Sequence, residues 1–158
     1  MFNPYNKEQY PQRENPRLKN FDYSSEGIYF ITICTHEKKC LFGQPEQHTL
    51  YGSFAVQGFH DLSLHYPNVV VDKFVVMPNH VHAILDIQKS THNLARIIGS
   101  YKSFVTKKIH EIQPNAKVWQ TSFHDHIIRN ENSYQIIWQY IDANPMNWEK
   151  DCFYDNKM

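Results

Sequence analysis

Residues 69–87 read Val-Val-Val-Asp-Lys-Phe-Val-Val-Met-Pro-Asn-His-Val-His-Ala-Ile-Leu-Asp-Ile, and this stretch decides the fold class. Two runs rich in β-branched residues, 69–76 and 81–87, flank Met77-Pro78-Asn79. The Pro-Asn pair is a turn signal, so the segment predicts two antiparallel strands joined as a hairpin. Working back toward the N-terminus, Pro67 ends a helix expected over 54–65. Residues 37–52, with Gly43, Pro45 and Gly52, read as turns. Before them, Ile28-Tyr29-Phe30-Ile31-Thr32-Ile33-Cys34-Thr35 predicts another strand. Working forward, Leu94, Ile97, Ile98, Tyr101, Phe104, Val105 and Ile109 recur at helical spacing, which predicts a helix over 94–112. A short strand is expected over 123–128, and a last helix over 131–142, stopped by Pro145.

The resulting order is strand, helix, strand, strand, helix, strand, helix. It predicts an α+β domain with a ferredoxin-like antiparallel sheet and helices on one face. A length of 158 residues suits one domain with a real core. Residues 1–20, broken by Pro4, Pro11 and Pro16, are expected to form an extended arm, 21–148 the domain, and 149–158 a tail.

Composition narrows the function classes. Aromatics make up 15% of the chain, which suits a dense core or a surface that stacks on bases. Net charge is zero, which excludes the overall basic field of many nucleic-acid binders but leaves room for a local patch. Cys34, Cys40 and Cys152 form no Cys-x-x-Cys pair, and the N-terminal stretch has no apolar run. Together these predict a reduced, cytoplasmic protein with no membrane partner.

The chemistry centres on His80-Val81-His82. Alternation along a strand sends both imidazoles to one face, a ready pair of metal ligands. They interrupt an apolar stretch, where imidazoles buried without partners would cost stability. A histidine-triad hydrolase requires a third His two residues on, and Ile84 stands there. Tyr140 lies in the last helix and Asn144 follows four residues later, a spacing that lets the two share a face. The Asn144 carbonyl oxygen suits a hard divalent ion beside two imidazoles, although Trp138, Tyr140 and Ile141 also fit a plain core. On the short strand, His124 and His126 face one way, and either suits the site, a phosphate or simply a polar sheet edge. Arg96, Lys102, Lys107 and Lys108 give the 94–112 helix a basic face suited to a phosphate backbone, or simply to solvent.

Four stretches together resemble the single-tyrosine transposases of the HUH endonuclease type, and more narrowly the REP-associated tyrosine transposases of bacteria. Phe74 to His82 resembles their metal-binding His-hydrophobe-His strand. Arg17-Leu18-Lys19 through Tyr23, leading into Tyr29 to Thr35, resembles their opening strand. Ile98 to Phe104 resembles their central helix. His126 to Asn130, followed by Tyr140-Ile141-Asp142-Ala143-Asn144-Pro145, resembles the end of their catalytic domain.

The likeness covers residues 17–148. It implies a ferredoxin-like sheet, Tyr140 as nucleophile, and a Mg²⁺ or Mn²⁺ ion on His80, His82 and Asn144. It further implies cleavage and rejoining of single-stranded or hairpin DNA through a 5′-phosphotyrosine. His126 is the candidate assistant to the phenol, and Arg129, Lys102, Lys107, Arg17 and Lys19 are the candidate DNA contacts. A homodimer is compatible with the likeness. Many relatives are basic, so this neutral chain is expected either to bind DNA with modest affinity or to confine its contact to a hairpin. Two rival readings are a non-catalytic DNA or RNA hairpin-binding protein and a metal-dependent hydrolase that uses water.

Overall fold

The computed structural model describes residues 26–89, 92–151 and 153–154. Its main sheet has four antiparallel strands in the order β4-β5-β1-β6. These are β1 (Gly27–Cys34), β4 (Val69–Met77), β5 (His80–Ile87) and β6 (His124–Ile128). A two-residue hairpin, β2 (Gly43–Gln44) with β3 (Gln47–His48), lies between β1 and helix α1 (Leu50–His65). Helix α2 (Leu94–His110) joins β5 to β6, and α3 (Glu131–Ala143) follows β6. The βαββαβ path with β1 and β5 at the centre is the ferredoxin-like arrangement that the sequence order predicts.

The hairpin at 69–87 forms as expected. Met77 pairs with His80, so only Pro78 and Asn79 make the turn. Each helix starts at a residue whose side chain satisfies an otherwise orphaned N–H. Thr49 Oγ1 accepts from Gly52 N, Asn93 Oδ1 from Arg96 N, and Asn130 Oδ1 from Ser133 N. Helix α1 therefore begins four residues before the predicted start at 54. Gly52, read from sequence as a turn residue, lies in its first turn. A Cβ there would meet the Phe42 carbonyl oxygen at 2.3 Å, so this glycine serves a close approach of helix to loop.

The helices do not share one face of the sheet. Tyr29, Ile31 and Ile33 of β1, with Val81, Ala83 and Leu85 of β5, pack against Phe59 of α1 and Ile97, Ile98, Tyr101 and Val105 of α2. The alternate residues Phe30, Cys34, Met77 and Ile84 pack against Ile137, Tyr140 and Ile141 of α3. The expectation of helices on a single face is thus corrected, and the reason is chemical. Strands β1 and β5 are apolar at successive positions rather than alternating, and such strands need cover on both sides.

Three contacts seat α3 on the edge strand β4, where the register slips between Val71 and Lys73. A bulge of this kind turns neighbouring side chains the same way. The Tyr134 hydroxyl donates to Asp72. Lys73 Nζ reaches Asp142 Oδ1 at 2.6 Å and lies 3.9 Å from the Trp138 ring centroid. These contacts place Tyr140 over the centre of the sheet. Beyond α3 the chain makes a single turn of helix, Trp148–Lys150, and Trp148, Asp151 and Phe153 return to that same face, all buried. Within the stretch from 149, expected to be a tail, Asp151 and Phe153 are therefore buried, and Phe153 belongs to the core. Among the described residues no helix is long and apolar enough to cross a membrane.

Candidate metal centre and tyrosine site

His80 and His82 open strand β5, and the residues paired with them fix which way they face. His80 pairs with Cys34 and His82 with Thr32, on the sheet face that α3 covers. Both imidazoles are fully buried, with ring centroids 4.6 Å apart. His80 Nδ1 is 2.8 Å from Asn79 Oδ1, and His82 Nδ1 is 2.8 Å from Thr32 Oγ1. Each ring is thus held at Nδ1 and presents Nε2 toward α3.

Tyr140 and Asn144 meet that side. The Tyr140 hydroxyl lies 3.2 Å from His82 Nε2 and donates to Asp151 Oδ2 at 3.0 Å. Asn144 keeps helical backbone angles (φ −57, ψ −43) although it precedes Pro145, so its side chain stays on the face that carries Tyr140. Its Nδ2 donates to the same Asp151 oxygen at 2.8 Å. Asp151 Oδ1 accepts from Phe153 N at 2.8 Å and stands 4.0 Å from His80 Nε2. Phe153 lies over both imidazoles, with ring centroids 4.6 Å and 5.8 Å away, and Trp148 lies 5.9 Å from His80.

The electrostatics favour neutral rings. Burial pushes His80 down to about 4, only partly opposed by the Asp151 carboxylate. Burial, followed by the neighbouring His80, holds His82 well below the usual histidine range. Near neutral pH the 4.0 Å approach of His80 to Asp151 is therefore not an ion pair. A neutral imidazole is the form that ligates a metal.

The donor set fits a divalent cation. Ligand atoms of His80, His82 and Asp151 all lie within 4.8 Å of one another. His80 Nε2 and Asn144 Oδ1 are enclosed with no hydrogen-bond partner. Buried polar atoms are nearly always satisfied, so two orphans beside one carboxylate point to a missing electrophile. Two imidazoles with two oxygen donors suit a borderline or hard divalent ion.

Of the residues singled out from sequence, His80, His82, Tyr140 and Asn144 come together. Asp151 joins them without any sequence motif announcing it; the signal available was the aromatic group Trp148, Phe153 and Tyr154, which implies that the chain packs again after Pro145. His126 lies opposite Phe30 on β6, while the position level with His82, across Thr32, is His124. Burial lowers His126, with Arg129 adding to the effect. Arg129 is exposed at the junction of β6 and α3. Lys102 and Lys107 belong to α2, beneath the other face of the sheet. Lys102 Nζ donates to the carbonyls of Gln120 and Thr121, at 2.7 and 3.2 Å, pinning a loop. Lys107 is exposed. Arg17 and Lys19 lie outside the described residues, as does the whole 1–20 arm.

Residues 25–144 match the family described as IS200-like transposases. The chain belongs to that family. An uncharacterized protein of Haemophilus influenzae is 36% identical over 90% of this chain and 93% of its own length. A candidate REP-associated tyrosine transposase of the same organism is 23% identical, over 79% of this chain and 73% of its own. Two solved structures share the fold of this IS200-like chain. One is a REP-associated tyrosine transposase bound to a REP hairpin, with TM-score 0.65 and 19% identity, covering 84% of this chain and 74% of that one. The other is a candidate transposase from Deinococcus radiodurans, with TM-score 0.55 and 15% identity, covering 80% of this chain and 95% of that one.

Proposed function

We propose that this IS200-like transposase cuts and rejoins single-stranded or hairpin DNA, with Tyr140 as nucleophile beside a divalent metal held by His80 and His82. The observation that carries the reading is the Tyr140 hydroxyl, 3.2 Å from His82 Nε2 and 3.0 Å from Asp151 Oδ2. Asp151 and the Asn144 carbonyl oxygen complete the set of donors around the pair. A bound Mg²⁺ or Mn²⁺ would supply Lewis-acid stabilisation of the charge that builds on a scissile phosphate. The fold shared with a REP-associated tyrosine transposase bound to a REP hairpin supports a folded single strand as the substrate.

The phenol oxygen attacks phosphorus as the P–O3′ bond breaks. The product is a 5′-phosphotyrosine and a free 3′-OH, which takes up a proton. A phenol near pH 7 holds its proton, since its reference pKa is near 10. Asp151 Oδ2, which already accepts from the Tyr140 hydroxyl at 3.0 Å, is the acceptor for that proton, because His82 Nε2 would be engaged by the metal. Because the phosphate stays esterified, a second 3′-OH can reverse the step at a new end without ATP. His126 is assigned the flank of the reacting bond, and Arg129 the approaching phosphates. Lys107, with Arg17 and Lys19 of the arm, is assigned to more distant DNA, whereas Lys102 is engaged by the loop carbonyls of Gln120 and Thr121.

One observation favours a second reading, a DNA or RNA hairpin-binding protein that does not cut. The site is enclosed: Tyr140 is 1% exposed and both imidazoles 0%. Incubation with a hairpin oligonucleotide and Mn²⁺, followed by denaturing electrophoresis, separates the readings. Strand cleavage with a denaturation-resistant protein–DNA adduct, lost in Tyr140→Phe while binding persists, supports the enzyme. Binding with neither cleavage nor adduct supports the module. Cleavage that survives Tyr140→Phe supports hydrolysis by water.

A further inference from the structure

Asn79 occupies the second position of the two-residue turn, is fully buried, and is held at both ends. Its backbone carbonyl accepts from the Thr35 N–H at 2.9 Å and from Thr35 Oγ1 at 3.0 Å. Its side-chain nitrogen faces two backbone carbonyls, Phe153 O at 2.9 Å and Lys38 O at 3.3 Å. Carbonyl oxygens only accept, so that side of the amide must be the NH₂ group. The amide oxygen is therefore the atom 2.8 Å from His80 Nδ1.

We infer that Asn79 is a positioning residue that locks His80 in the Nδ1–H tautomer and so leaves the Nε2 lone pair facing the site. An amide oxygen cannot donate, so the hydrogen in this short contact belongs to the ring. The opposite tautomer would set two lone pairs against each other at 2.8 Å. At His82 the contacts differ: Nδ1 meets the Thr32 hydroxyl, and the ring also has a backbone hydrogen bond with Ile31. Asn79 thus acts on one of the two imidazoles. The purpose assigned to it rests on the metal reading above, because a bare, inward-facing Nε2 is what ligation needs. Hydrogen bonds to the far nitrogen of a ligating histidine fix ring orientation in this way.

The test uses the metal-free full chain with ¹⁵N-labelled histidine, without DNA. Ring NMR at neutral pH is expected to show His80 as the Nδ1–H tautomer. Asn79→Leu, close in size and unable to accept, should lose that signature and weaken Mn²⁺ binding by about 10–100-fold. Asn79→Asp, which keeps an acceptor oxygen, should retain the signature. An Nε2–H tautomer in the unaltered protein overturns the inference, and so does an Asn79→Leu protein with unchanged tautomer and Mn²⁺ affinity. If Asn79→Leu does not fold, the tautomer of the unaltered protein decides alone. Since no DNA is present, failure of the covalent-adduct assay would leave this result standing, and the reverse also holds.

Discussion

Acidification should unfold the metal-free protein through the two imidazoles that form its site. His80 is held neutral in the folded state, its pKa lowered by burial from 6.5 to about 4. The unfolded chain therefore binds the proton more tightly, and stability rises with pH across this window. The contribution is complete above about pH 6.5, is lost progressively as pH falls, and is exhausted below about pH 4. At about 1.4 kcal/mol per pH unit, the gap amounts to about 3 kcal/mol from His80 alone. His82, also fully buried and lowered, adds to the loss with the same sign. Against a typical stability of about 5–15 kcal/mol, this is a large share. Urea unfolding at pH 7.5, 5.5 and 4.0 in the presence of a chelator reads it directly. Mn²⁺ at about 100 times its Kd should add about 2.7 kcal/mol at neutral pH, an increment that fades as protons compete for the rings. A stability that stays flat between pH 6.5 and pH 4 would refute the claim that these rings are buried, neutral and unprotonated.

Other outcomes follow from the packing and the enclosure of the site. Gly52→Ala should destabilise the fold by about 1–3 kcal/mol despite the better helix former, because the new Cβ meets a backbone oxygen at 2.3 Å; a melting curve checks this. Tyr140→Phe should cost only about 1–2 kcal/mol in urea, since Asp151 Oδ2 keeps its bond from Asn144, and a much larger loss would assign the hydroxyl a mainly structural role. The Phe153 amide, which donates to Asp151 Oδ1, should lose hydrogen-exchange protection when a hairpin oligonucleotide binds under chelation, because Phe153 covers the two imidazoles and Asp151 holds the phenol. Unchanged protection there, with the hairpin bound, would mean that DNA reaches the protein elsewhere.

Much of this was legible in the residues, and the part that was not has physical reasons. Val69 to Ile87 announces its hairpin because two β-branched runs flank a Pro-Asn turn, and the pairing of Met77 with His80 matches it. Ile97, Ile98, Tyr101 and Val105 show the buried side of α2 through spacing alone. Likewise, Ile137, Tyr140 and Ile141 show that α3 has a buried side, but not which face of the sheet it covers. That information sat in β1, whose residues from Tyr29 to Cys34 are apolar or small at successive positions and call for a second layer. The basic positions of α2 were legible as charge only; whether Lys102 serves a phosphate or two loop carbonyls depends on where residues 120 and 121 travel. Asp151 was illegible for a related reason. Its role depends on a chain reversal after Pro145; the aromatic group Trp148, Phe153 and Tyr154 signals that return, but not that Asp151 is carried to the imidazoles with it.

In the proposed reaction the phenol oxygen of Tyr140 becomes bonded to DNA phosphorus. Protease digestion and mass spectrometry of the protein after reaction with a hairpin oligonucleotide and Mn²⁺ read that bond. The expected product is a nucleotide attached through its 5′-phosphate to the peptide that contains Tyr140, at that residue. A nucleotide on any other side chain, or cleaved DNA with every tyrosine unmodified, would contradict it.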